Sequence, residues 1–144
     1  MTFFKTPIIH KVLIRASRET VYDAMTTAKG IDGWFTSGTE IERKNGGVLT
    51  FKWVDWGPDK INDTVHCPIL EVQVPERFVF QWWEDIPTTV EIDFDEVNEG
   101  TVVRLKESGY ADTPEGRKRC LDCATGWGEA LTLLKFYVEY GIRY

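Results

Sequence analysis

The chain has 144 residues, of which 42% are apolar and 28% charged, with a net charge of −6 at neutral pH. That length fits one domain over residues 1–144 with a core of its own, and the composition excludes disorder, a collagen-like fibre and a small cysteine-stapled scaffold. The acidic balance, with a pI near 5.0, disfavours nucleic acid and anionic membrane as partners.

Residues Pro7 to Ile14 (PIIHKVLI) read as a strand that ends at Arg15-Ala16-Ser17. Ser17 is a good N-cap and Glu19 falls in the first turn, where the helix dipole favours a carboxylate. Val21, Met25 and Ala28 follow at helical spacing. Gly30 and Gly33 are expected to break this helix, with a short second helix or turn at Trp34-Phe35.

From Thr39 to Glu107 the pattern is strand-like. Leu49, Phe51 and Trp53 alternate with polar or smaller residues. So do Phe78, Phe80 and Trp82, then Val90, Ile92 and Phe94, then Val103 and Leu105. Turn chemistry separates these runs at Asn45-Gly46-Gly47, Gly57-Pro58-Asp59, Val74-Pro75-Glu76-Arg77 and Asn98-Glu99-Gly100. The short spacing implies an antiparallel meander of about six strands.

The last element is a long helix. Thr113 caps it, Pro114 takes the first helical position and Gly141 ends it. Cys120, Ala124, Trp127, Leu131, Leu134 and Val138 form one stripe. A helix of ~25 residues is about 37 Å long and is the only element able to cover the apolar face of such a sheet. A twisted sheet curls, so the helix is expected to cross a concave surface and to leave a cavity lined by inner-face rings. The chain is rich in rings, with six Trp, five Tyr and eight Phe. They build either a bulky core or a pocket wall.

At this point a resemblance appears. The run Pro68 to Trp82 (PILEVQVPERFVFQW) resembles a motif of the family homologous to the activator of the ninety-kilodalton heat-shock-protein ATPase, within the START-like (SRPBCC) superfamily. Gly100 to Tyr110 (GTVVRLKESGY) and Thr125 to Leu134 (TGWGEALTLL) agree with it, as do Ser17 to Trp34 and Gly46-Gly47. The resemblance covers nearly the whole chain and implies an α+β helix-grip fold: a curved antiparallel sheet wrapped around a long C-terminal helix. It implies ligand classes rather than one function, because superfamily members bind lipids, hormones and other apolar molecules or catalyse reactions such as cyclisation. The eukaryotic co-chaperones of the family carry a further N-terminal domain with an Asn- and Trp-rich motif. At this length no room for that domain is expected and the motif is missing, which counts against chaperone activation. The family usually has Gly near the position of Cys67. Here Pro68 follows it, and Pro in a strand signals an edge or a bulge.

The residues expected to line a ligand pocket are Phe51, Trp53, Ile69, Phe80, Trp82, Ile92, Phe94, Trp127, Leu131 and Leu134; the alternative is that they fill a core. Trp34, Phe35 and Trp56 sit beside glycines or turns. They either gate the pocket, offer a contact surface or pack their own loops. Glu71 lies in an otherwise apolar strand. It is a polar anchor if Cys67 and Ile69 point inward with it, and a solvated charge if Leu70, Val72 and Val74 do. His66 is the other candidate anchor. Neither His66 nor His10 is spaced for a nucleophile–base pair. The Cys120-Cys123 pair lies too far into the helix for thiolate stabilisation and has no second pair to make a zinc site. Arg117-Lys118-Arg119 reads as a solvated helix face that could also meet an acidic partner.

Cofactor loops and metal motifs are missing, so no catalytic residue, cofactor or metal is expected. Three cysteines fit a reducing compartment, no apolar segment suits a membrane span or a signal peptide, and the location reads as cytoplasmic. The leading expectation is a carrier of an apolar or amphipathic small molecule. The alternatives are a co-chaperone-type or stress-response interaction module, and a cyclase- or hydrolase-like enzyme using Glu71 or His66.

Overall fold

The computed structural model describes residues 1–143. Strand β1 (Ile8–Ile14) leads into helices α1 (Arg18–Thr26) and α2 (Ala28–Trp34). Strands β2 (Glu40–Ile41), β3 (Val48–Trp56), β4 (Ile61–Gln73), β5 (Arg77–Trp82), β6 (Thr88–Val97) and β7 (Gly100–Ser108) follow, and helix α3 (Pro114–Tyr140) comes last. The seven strands make one antiparallel sheet in the order β1-β7-β6-β5-β4-β3-β2. The meander from β2 to β7 is the expected one, and β1 extends it on the far side of β7. The sheet is curved and open, and α3 lies along its concave face: a helix-grip fold.

Alternation decides which residues meet α3. Leu49, Phe51 and Trp53 of β3, Phe78 and Phe80 of β5, Val90, Ile92 and Phe94 of β6, and Val103 and Leu105 of β7 are all buried in one core. From α3 they meet Trp127, Ala130, Leu131 and Leu134. Each fully buried side chain of this size contributes about 1.5–3 kcal/mol of transfer free energy. Thr113 caps α3 through the Gly116 N–H, Pro114 occupies the first turn, and Gly141 takes a left-handed φ of 69° at the far end. Only a residue without Cβ adopts that conformation freely, which is why the helix stops there.

One expectation needs correction. Gly30 and Gly33 do not break a helix; both lie inside α2. The break is Thr27, whose extended backbone ends α1 while its hydroxyl accepts from the Gly30 N–H and starts α2. The glycines serve packing instead. A Cβ on Gly30 would stand 2.5 Å from the Asp23 carbonyl oxygen, and one on Gly33 would meet the Tyr137 ring at 2.3 Å. Of the two settings expected for Pro68, an edge or a bulge, the structure shows the second nearby, since β4 lies between β3 and β5. Pro68 sits at a handover. Residues up to Pro68 pair with β3, those from Ile69 pair with β5, and a bulge follows between Ile69 and Glu71. A missing N–H is tolerated at such a junction.

Gly30→Ala gives a sign test of this packing. In a free helix interior the change stabilises by about 1 kcal/mol. Against the α1 backbone it is expected to destabilise by about 1–3 kcal/mol, read as a lower urea midpoint with an unchanged slope.

Candidate functional site

Beside the middle of α3 the rings of the α3–sheet seam do not close completely. They leave an open cleft of about 240 Å³ walled by Phe35, Trp53, Trp56, Trp82, Trp83 and Trp127, with Ile61, Val65, Cys123 and Gly126 between them and Asp63 and Asp122 at its margin. Phe35 lies 5.3 Å from Trp53, 5.9 Å from Trp56 and 6.3 Å from Trp127 between ring centroids, and Trp82 lies 5.8 Å from Trp53 and 5.9 Å from Trp127. These are contact distances for edge-on and tilted rings.

Local backbone geometry places each ring. Trp53 and Trp82 reach the cleft by plain alternation. Trp56, three residues after Trp53, would point outward in a regular strand. The register slips between them and Asp55 takes a φ of 49°, turning Trp56 back to the inner side. Trp83 likewise follows Trp82 with a φ of 69°, so adjacent indoles share one wall. Phe35 caps the end of α2. The chain after it is held by Asp32, whose carboxylate accepts from the Thr36 hydroxyl at 2.7 Å, the Thr39 N–H at 3.0 Å and the Gly38 N–H at 3.1 Å. Burial alone would raise the Asp32 pKa, but these donors outweigh it and hold the carboxyl below its ordinary range.

Behind the cleft lies a residue that the sequence reading missed. Glu107 is 0% exposed. Its carboxylate accepts from the Trp127 indole N–H at 2.9 Å, the Tyr110 hydroxyl at 2.7 Å and the Thr88 hydroxyl at 2.5 Å. The signal was present: Val103 and Leu105 point inward, and the same period of two puts Glu107 on the inner face. The Tyr110 hydroxyl also accepts from the Trp83 indole at 3.1 Å. Burial, and then the neighbouring Glu107, push the Tyr110 pKa well above the usual phenol range. One chain of hydrogen bonds thus fixes two of the cleft's indoles.

Of the ten residues expected in a pocket wall, Trp53, Trp82 and Trp127 line this cleft. Phe51 supports it from behind, 5.5 Å from Trp53 and stacked on it. Ile69, Phe80, Ile92, Phe94, Leu131 and Leu134 are buried in the core and do not line it. Phe35 and Trp56 are wall residues. Trp34 does not offer an exposed surface: it is 2% exposed, stacks on Phe35 at 5.0 Å and donates its indole N–H to the Ala24 carbonyl at 2.9 Å. Glu71 is no inward anchor. The bulge at Ile69 flips the alternation, and Glu71 sits on the outer face beside Arg77 at 3.3 Å, with Glu91 and Asp93 on the same guanidinium. His66 is exposed on that face, with Nδ1 3.1 Å from the Thr50 hydroxyl. Neither expected polar anchor reaches the cleft.

The cysteine pair stays inert. Burial pushes the Cys123 thiol up to about 11, partly offset by the Tyr110 hydroxyl, and it also raises Cys120. The basic run is internally paired: Arg117 with Asp112 at 2.8 Å, Lys118 with Asp122 at 3.0 Å, and Arg119 with Asp85 at 2.9 Å. Arg119 also stacks over Trp83, 4.4 Å from the ring centroid. Among the described residues no group of three or more His, Cys, Asp or Glu side chains is placed to hold a metal ion, and no helix is long and apolar enough to cross a membrane.

A curved antiparallel sheet gripping a long C-terminal helix, with an apolar cleft at their seam, defines a START-like domain. The chain belongs to the Activator of Hsp90 ATPase homolog 1-like protein family, whose model matches residues 15–139. Solved structures share the whole architecture. A protein from Staphylococcus saprophyticus is 26% identical, with 96% of each chain covered and a TM-score of 0.78. The Aha1 dimer from Colwellia psychrerythraea is 23% identical over 94% of this chain and 98% of that one, also with a TM-score of 0.78. A protein of unknown function from Staphylococcus aureus superposes with a TM-score of 0.80 at 14% identity, with 96% of each chain covered. No curated protein sequence matches the chain.

Three variants test how the wall is held. Asp32→Asn is expected to lower stability at pH 7. A depressed carboxyl pKa stabilises the fold above the unfolded-state value and loses that contribution as pH falls through the folded one. The gap to wild type therefore narrows below about pH 4, measured by thermal melts across pH. Glu107→Ala strands three buried donors and is expected to cost about 3 kcal/mol, with near-ultraviolet dichroism reporting loosened tryptophans. Glu107→Gln, which keeps an acceptor, is expected to cost less.

Proposed function

We propose that the protein is a small-molecule carrier or receptor whose guest enters the aromatic cleft between α3, the β3–β4 hairpin and the loop after β5. The observation that carries this reading is the composition of the wall: six aromatic rings face one open space. Rings that serve only a core interlock and leave no such space. A cleft of about 240 Å³ is slightly below the usual range for drug-sized ligands, which suits a compact guest of one or two fused rings. The resting thiols and the outward Glu71 and His66 support binding over chemistry. The three free cysteines suit work in the cytosol.

A second reading follows from the family and from a neighbour named as an Aha1 dimer: a protein-interaction module of the co-chaperone type, with Trp56 and the hairpin tip at the contact. It predicts partner binding indifferent to any small molecule in the cleft.

Gly126 provides the test. It lines the cleft, and a Cβ built on it meets nothing within 4 Å. Gly126→Leu therefore projects into open space while improving helix propensity by about 0.8 kcal/mol. The neutral probe N-phenyl-1-naphthylamine is expected to bind wild-type protein with one-to-one saturation, read by its fluorescence. Gly126→Leu is expected to weaken binding at least about tenfold without lowering the melting temperature. Unchanged binding in the variant would place the probe elsewhere and remove the support for this reading.

A further inference from the structure

The cleft is apolar, yet it is not neutral. Among the described residues that line it, the only titratable side chains other than the protonated Cys123 are Asp63 and Asp122, and none is a lysine or arginine.

Asp63 is the informative one. In the β3–β4 ladder it is the direct partner of Trp53, two pairs from Val65 opposite Phe51 and four from Cys67 opposite Leu49. Directly opposed residues project to the same side of a sheet. Trp53, Phe51, Leu49 and Cys67 are all buried in the core. The inner face of β4 thus runs Ile69, Cys67, Val65, and then Asp63 where the core gives way to the cleft. A carboxylate at an inner-face position is unusual in a half-buried strand. Among the described residues Asp63 has no lysine or arginine partner; its Oδ1 accepts only the neighbouring Thr64 N–H, at 2.8 Å. Asp122 approaches from α3 and is paired with Lys118 at 3.0 Å on the exposed helix face.

Indole faces carry negative potential and attract cations, and a cage of such rings with a nearby carboxylate is how quaternary ammonium groups are recognised in water. One ring of the wall already holds a cation: the Arg119 guanidinium lies over Trp83, 4.4 Å from its centroid, with its charge compensated by Asp85 at 2.9 Å. The chain's net charge of −6 adds a long-range field of the same sign.

From these observations we infer that the guest is an organic cation, a small aromatic or alkylated ammonium whose apolar body lies among the tryptophans and whose charge sits beside Asp63. This rests on the cleft being the binding site and adds the charge of the ligand.

The experiment compares three probes of similar size by equilibrium dialysis at pH 8 and low salt: N-methylquinolinium, neutral quinoline and 1-naphthoate. N-methylquinolinium is expected to bind at least about tenfold more tightly than quinoline, and naphthoate most weakly. Asp63 is exposed, and its substitution is expected to leave the fold intact. Asp63→Asn combined with Asp122→Asn is expected to erase most of the cation preference, while Asp63→Glu keeps it and 0.5 M salt reduces it. Equal binding of quinoline and N-methylquinolinium, a preference for naphthoate, or a cation preference unmoved by the double variant each overturns the inference. The cleft reading is judged apart from this, by N-phenyl-1-naphthylamine and Gly126→Leu. If that probe binds and the variant blocks it while the cation gains nothing, only the charge assignment falls. If neither that probe nor the three others bind, both readings fall.

Discussion

The indole N–H of Trp127 points across the seam to the carboxylate of Glu107, 2.9 Å away and out of reach of water. α3 needs to lie across a concave sheet, and apolar packing by itself sets no unique position along that surface, because hydrophobic contact has no direction. A buried hydrogen bond does have direction, and breaking it leaves a group that water cannot rescue. With Thr88 and Tyr110 on the same carboxylate, β6, β7, the following turn and α3 are brought to one point. Trp83 joins through the Tyr110 hydroxyl. The aromatic wall is ordered because polar atoms behind it are satisfied together.

This arrangement separates two jobs that the same residue types perform. Phe80, Ile92, Phe94, Leu131 and Leu134 are buried in the core between helix and sheet, and they hold the fold together. Trp53, Trp82 and Trp127 lie where the packing opens, and there the next neighbours are Gly126 and open space. Position along one groove, rather than chemistry, distinguishes core from cleft. The hairpin tip completes the wall with Trp56 and Ile61, which local backbone irregularity turns inward.

Much of this is legible in the sequence. Alternation in Leu49-Phe51-Trp53 and Val90-Ile92-Phe94, the Ser17 and Thr113 caps and the Pro114 start lead directly to the observed elements, since each rests on a local rule. The misses have physical reasons as well. The bulge after Ile69 reverses the faces of β4 and sends Glu71 to the outside; a one-residue slip of this kind leaves no mark on composition. Gly30 and Gly33 look like breakers because local propensity knows nothing of the Asp23 carbonyl or the Tyr137 ring against them. Trp34 looks exposed beside its glycines, yet α1 supplies a carbonyl for its indole. Glu107 was readable: the alternation that placed Val103 and Leu105 continues one step further, to a charged residue where charge is least expected.

α3 is fastened at both extremities. Near its start Arg117 pairs with Asp112 and Gly116 lies directly on the Ala111 carbonyl. Near its end the Lys135 ammonium donates to the Leu13 carbonyl and to Glu139, and Glu139 in turn accepts the Arg15 N–H at 3.1 Å. The helix behaves as a beam resting on two abutments, with Cys123, Gly126 and Trp127 between them. A beam so supported does not lift to admit a larger body. The opposite wall is braced as well, by Phe35 packed edge-on against Trp53 and Trp56 and by the Ser37 N–H on the Lys52 carbonyl, so the opening keeps its width from both sides.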